Sequence, residues 1–152
     1  MSNEFLHTRA KALGEDVFVV AALCGEAKVL SEKQLQILKL VQQMPETFIL
    51  RVQDLLCKEL PALRSQYFTS GAIWIKPTAV AIPPLKDCTD SWCFVAGDFL
   101  HNEDDGFICL IRNGTHFCLC EEEEVPNQYA VDDTGVFESL FAQHHVVEVF
   151  QK

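Results

Sequence analysis

Basic residues are scarce in this chain: Lys and Arg total 12 against 22 Asp and Glu, a formal net charge of −10 over 152 residues. A chain this acidic repels phosphate backbones, which argues against direct nucleic-acid binding and for steering towards basic surfaces. Long apolar runs are missing too. The longest, VFVVAALC from Val17 to Cys24, falls far short of the roughly 20 residues a membrane-spanning helix needs. A cysteine closes that run as in a lipoprotein signal. However, Glu15 and Asp16 stand where basic residues belong, and Leu23 stands where a small one belongs. Regular cysteine spacing is also absent. The seven Cys are odd in number, which suits free thiols in a reducing cytoplasm rather than a disulfide framework. No Walker A loop, G-x-S-x-G, H-E-x-x-H or G-x-G-x-x-G occurs, and there is no internal repeat or interdomain linker.

What is present suits one domain over residues 1–152. The hydrophobic fraction is 49% with 11 Phe, enough for a chain of this size to bury roughly 70% of its unfolded surface. Residues 4–13 read as a short helix ended by Gly14, and Asp16 to Leu23 as a buried strand. Cys24-Gly25-Glu26 reads as a turn. Ser31 and Gln34 form a capping box, with Leu30 and Leu35 at the hydrophobic-staple positions. The helix that follows would bury Leu35, Leu38 and Val41, with Ile37, Leu40 and Met44 widening the stripe. Pro45 suits the first turn of a second helix. That helix would bury Phe48, Ile49, Val52, Leu55 and Leu56, turn Arg51, Asp54 and Lys58 outward, and stop before Pro61. Short strands then follow: Ala72–Ile75, Ala79–Ile82, Ser91–Phe99, Phe107–Arg112 and Thr115–Cys120. A helix from Thr134 to Gln143 and an ambiguous VVEVF close the chain. The expected class is α+β, with N-terminal helices packed on a mainly antiparallel sheet and a central Asn-Gly hairpin.

That hairpin carries the main functional expectation. Asn113-Gly114 is the strongest short hairpin signal, and a two-residue turn would pair Arg112 with Thr115, Ile111 with His116 and Cys109 with Cys118. Its open end would then set Glu103, Asp104 and Asp105 beside Glu121, Glu122, Glu123 and Glu124 as one acidic patch. Such a patch is a candidate surface for a basic protein partner. The other readings are a divalent-cation loop, which fails because Arg112 falls at position 12 of the EF-hand pattern, and an ordinary solvated surface. The same register would put Cys109, His116, Cys118 and Cys120 on one face. Four soft ligands invite a zinc reading, but residues two apart on a flat strand sit roughly 7 Å apart, at about 3.3 Å per residue, and buried thiols behave as small apolar groups. His144-His145 reads as surface, and no Cys/His catalytic signature is present.

The order of an apolar strand, SEKQLQIL opening a helix pair, AVAI, WCFVAGDF, an acidic stretch with glycine, and FICLIRNGTHFCLC resembles small bacterial immunity-type domains. These are encoded beside polymorphic or contact-dependent toxins. The resemblance spans roughly residues 17–125 and is densest over Asp98–Cys120, where Asp104-Asp105-Gly106 stands in place of the Glu-His-Gly of related patterns. It implies a cytoplasmic protein without catalytic residues, which neutralises a cognate toxin, often a basic nuclease, by tight binding; no cofactor or metal is expected. The alternatives are an enzyme or metal protein using the Cys/His face, and a generic protein-interaction domain.

Overall fold

The computed structural model describes residues 5–22, 30–60, 74–84, 89–100, 102–124 and 134–149. Cys24-Gly25-Glu26, Pro61 and Ala72 lie outside them. The described elements are β1 (Phe5–Ala12), β2 (Glu15–Ala22), α1 (Glu32–Gln43), α2 (Phe48–Glu59), β3 (Ile75–Ile82), β4 (Trp92–Phe99), β5 (Asn102–Arg112), β6 (His116–Cys120), a 3-10 turn (Glu122–Glu124), α3 (Thr134–Gln143) and β7 (Val147–Glu148). The class is α+β. The strands form one seven-stranded sheet in chain order. All neighbours are antiparallel except β2 and β3. Parallel neighbours need a long crossover, and the segment carrying α1 and α2 supplies it.

The first element corrects the sequence reading, because residues 5–12 form a strand and not a helix. The N-terminal layer is therefore a hairpin, and the helices come after it. The alternation of Leu6, Thr8, Ala10 and Ala12 with His7, Arg9 and Lys11 is the period of a strand. The turn Leu13-Gly14 has φ of 57° and 82°, and it pairs Ala12 directly with Glu15. Leucine in the left-handed region costs roughly 1–2 kcal/mol, and burial of the Leu13 side chain offsets this.

In α1 the Ser31 cap is in place. Ser31 Oγ accepts from the Gln34 N–H at 3.1 Å, and Gln34 Oε1 accepts from the Ser31 N–H at 2.9 Å. The buried face is rotated from the expected stripe. Gln34, Ile37, Val41 and Met44 point inward, while Leu35 is 47% exposed. The cause is polar: Gln34 is fully buried because its Nε2 also donates to the Pro83 carbonyl at 3.0 Å, which turns position 34 inward and position 35 out. In α2 the apolar set Phe48, Ile49, Val52, Leu55 and Leu56 is buried as the spacing implies. Gln53 joins it, and its Oε1 accepts from the N–H groups of Trp74 and Ile75 at 2.6 and 3.3 Å. Two buried amides thus tie α1 to the residue just after β3 and α2 to the start of β3, contacts that apolar periodicity cannot reveal.

Two further elements differ from expectation. The stretch read as two strands around Lys76-Pro77-Thr78 is a single strand whose register shifts between Pro77 and Ala79; a proline without an N–H is tolerated at such an irregularity. VVEVF yields a two-residue strand, Val147–Glu148, paired with β6. The Phe48 ring of α2 stands edge-on to Phe117 of β6 at 5.0 Å. In α3, Phe137 and Phe141 lie 5.6 and 5.0 Å from Trp92 of β4.

Candidate functional site

The β5–β6 connection determines which side chains share a face. Asn113 and Gly114 have φ of 56° and 67°, and the Thr115 N–H donates to the Arg112 carbonyl at 3.0 Å. The ladder, however, pairs Arg112 with His116, Leu110 with Cys118 and Cys109 with Leu119. Thr115 and His116 together oppose Arg112, which is a β-bulge. The expected pairing is therefore wrong by one residue. Segments flanking β4 and β7 bond to the bulged turn. Asn113 donates its N–H to the Ser91 carbonyl and accepts from the Ser91 N–H, both at 2.7 Å, and its amide reaches Asp90 at 3.0 Å. On the far side the Thr115 carbonyl accepts from Val149 at 2.7 Å.

A one-residue slip changes every facing relation. Cys109 shares its face with Leu119 and Phe117, and Cys118 and Cys120 lie on the other, so the expected face of four soft ligands does not form. Burial pushes the Cys109 thiol well up, with Cys120, Cys93 and Glu59 adding to it. The hydrogen-bonding contact with Cys120 at 4.0 Å, then burial, raises Cys118. Burial brings Cys93 up to about 12. Thiols held protonated are poor nucleophiles and poor metal ligands. Among the described residues no three His, Cys, Asp or Glu side chains are grouped to hold a metal ion.

The acidic runs flank this pairing at its open end. Gly106 pairs with Asp98 and Asn102 with Phe99, so Glu103, Asp104 and Asp105 are looped out of the β4–β5 ladder. Their side chains, and that of Glu122, lie outside what the structure describes. β6 pairs with β5 only as far as Ile108 and Cys120, and Glu121 and Glu123 beyond it are exposed. Glu124 turns inward. Its Oε1 accepts from the Glu121 N–H at 2.8 Å, and its two oxygens lie 2.9 and 2.8 Å from His144 Nε2. Burial pushes its carboxyl up, but the Glu121 N–H and His144 outweigh this and leave it below the ordinary carboxylate value.

Here the structure adds what the sequence did not show, an open cavity of about 840 Å³ at this end of the sheet. Its floor is apolar, with Leu56 from α2 and Phe107, Ile108 and Leu119 from the hairpin. Gly97 allows the strands to close beneath it, since a Cβ there would lie 2.1 Å from the Lys76 carbonyl and 2.6 Å from the Phe107 ring. Glu59, Glu121 and Glu123 stand at its rim with His144 and His145, and its described lining includes no Lys or Arg. Although Glu59 ends an exposed turn of α2, partial burial raises its carboxyl, with His144 and His145 pulling the other way. Glu59 and His144 were missed as site residues because α2, the hairpin and the segment after α3 meet only in the folded molecule. The chemistry on offer is recognition of a cation, with an apolar bed for its stem and carboxylates for its charge. Comparison with protein-family models, with curated proteins and with solved structures finds no match for this chain.

Proposed function

We propose that this protein is a non-catalytic binding domain that takes a basic segment of a partner protein into the acidic cavity, in the manner of an immunity protein neutralising a cognate toxin. The observation that carries the reading is the rim of Glu59, Glu121 and Glu123 over an apolar floor, with no Lys or Arg in its described lining. Like charges held together raise the free energy of the unbound protein, and a cationic partner relieves it. The run Glu103–Asp105 directly precedes the cavity residues Gly106 and Phe107 in the chain, and it stays in the proposed partner-binding set. The finer architecture belongs to this proposal: helices laid on a mainly antiparallel sheet with the Asn113-Gly114 hairpin as its centre. So does a cytoplasmic site of action; among the described residues no helix is long and apolar enough to cross a membrane. The bulge sets Cys109 on the face opposite Cys118 and Cys120, which weighs against the alternative of an enzyme or metal protein using one Cys/His face.

The test is binding kinetics with the product of the adjacent gene, comparing wild type with the Glu59→Gln, Glu121→Gln, Glu123→Gln triple variant at low and high salt. Steering through such a rim is screened over about 8 Å at physiological ionic strength. The variant should therefore associate about tenfold more slowly at low salt and similarly at high salt. Equal association rates at low salt would place the binding face elsewhere.

A further inference from the structure

The turn Glu122–Glu124 carries Glu121 and Glu123 to the rim, and His144 ties it to the end of α3. One imidazole nitrogen reaches both oxygens of Glu124, and Glu124 in turn accepts from the Glu121 N–H and donates its own N–H to the Glu121 carbonyl at 3.0 Å. The pair is mostly shielded, with side chains 22% and 24% exposed, so solvent screens it only in part. We propose that the His144–Glu124 pair is a proton-operated latch on the cavity wall, closed while His144 is protonated and loosened when it is neutral, so that pH sets the position of the Glu121 and Glu123 rim.

The physical basis is that charge-assisted hydrogen bonds are roughly twice as strong as neutral ones, and histidine is the side chain whose charge changes between pH 5 and 8. Other titratable groups face the pair: Glu59 from α2, His145 beside His144, Glu121 and Glu123 from the turn, and the thiols of Cys118 and Cys120 from β6. The thiol of Cys118 is held up, out of that range. His145 lies beside His144 in the same lining and needs its own control. The latch stands on its geometry alone; its use in ligand binding rests on the cavity reading above.

The experiment is backbone amide exchange at Glu121 and Glu124, corrected for intrinsic chemistry, at pH 6.0 and pH 8.5. Wild-type protection should fall about fivefold from the lower pH to the higher, as a charge-assisted bond becomes a neutral one. His144→Gln and Glu124→Gln should show no such fall, and His145→Gln should keep it. Wild-type protection that does not change, or a fall that persists in His144→Gln, overturns the latch. A hepta-arginine peptide, followed by fluorescence anisotropy at both pH values, separates the two readings. Binding that changes with pH in wild type and not in His144→Gln supports the coupling. A latch seen by exchange with no peptide binding overturns the basic-partner reading and leaves the latch standing.

Discussion

Gln34 and Ser31 occupy adjacent steps of one hydrogen-bond chain, and their substitutions should differ in cost. Ser31→Ala removes the cap to the Gln34 N–H and should lose about 0.5–2 kcal/mol. Gln34→Ala removes the partner of the Ser31 N–H, leaves the buried Pro83 carbonyl unpaired and empties a fully buried site, so it should lose more, about 2–4 kcal/mol. Urea midpoints with unchanged slope would measure both; equal losses would mean that the Pro83 bond contributes nothing. Glu124 makes a pH-dependent prediction. Its folded carboxyl lies below the ordinary value, so its contribution is present above the unfolded value and is lost as pH falls through the folded one. Glu124→Gln should therefore be less stable than wild type at neutral pH, with the difference closing in acid. Glu59 has the opposite sign. Its folded value is raised, so stability falls as pH rises through the range between its unfolded and folded values. Glu59→Gln should be at least as stable as wild type at neutral pH and no more stable in strong acid.

At the scale of elements, turns and registers separate what is local from what is not. Asn113 and Gly114 do adopt positive φ, a preference written in the residues themselves. The pairing that follows is accompanied by contacts with Asp90 and Ser91, just before β4, and with Val149, just after β7. Deleting Thr115 gives a sharp test. It would leave a two-residue turn and keep Arg112 opposite His116, so every face should be retained. The cost should be about 1–2 kcal/mol for the lost Val149 bond. Thermal unfolding would give the cost, and cross-strand contacts between Leu110 and Cys118 would report the register. A global loss of fold would show that the bulge itself is required. The hairpin of β1 and β2 teaches the converse, because Leu13-Gly14 makes the direct two-residue connection without a strong turn signal. β1, at the edge of the described sheet, carries Arg9 and Lys11, and Arg9 stacks 4.1 Å over the half-exposed Phe18 ring. Charged residues on an edge discourage pairing with another chain. Arg9→Val with Lys11→Val should raise self-association, read by sedimentation.

At the scale of the whole molecule, charge and cavity act together. A net charge of −10 repels itself, and the rim of Glu59, Glu121 and Glu123 concentrates part of it. Neutralising these three to Gln should leave the thermal midpoint unchanged or raise it slightly at low salt. A clear fall would mean that the rim carboxylates hold structure together, and the reading of the cavity as a reserved cation site would lose its basis.

The α+β class, the inward face of α2, the Ser31 cap and the helix from Thr134 to Gln143 were all legible in the residues, because each rests on neighbours within a few positions. A cap bonds three residues on, and a helical face repeats every 3.6 residues, so local spacing is enough. The acid excess and its two runs were legible as well. The tertiary structure alone determined the surroundings of their described residues. It drew Glu124 inward to His144, looped Glu103–Asp105 out of the ladder, and brought Glu59 of α2 to a cavity rim shared with Glu121 and Glu123. It also turned Gln34 inward and Leu35 outward, and it separated Cys109 from Cys118 with a single bulged residue. The physical reason is common to these cases. Most depend on a hydrogen bond, an ion pair or a strand neighbour some twenty or more residues away, and even the short β4–β5 connection takes its register from the ladder; such contacts leave no period or spacing in the chain until the chain has folded.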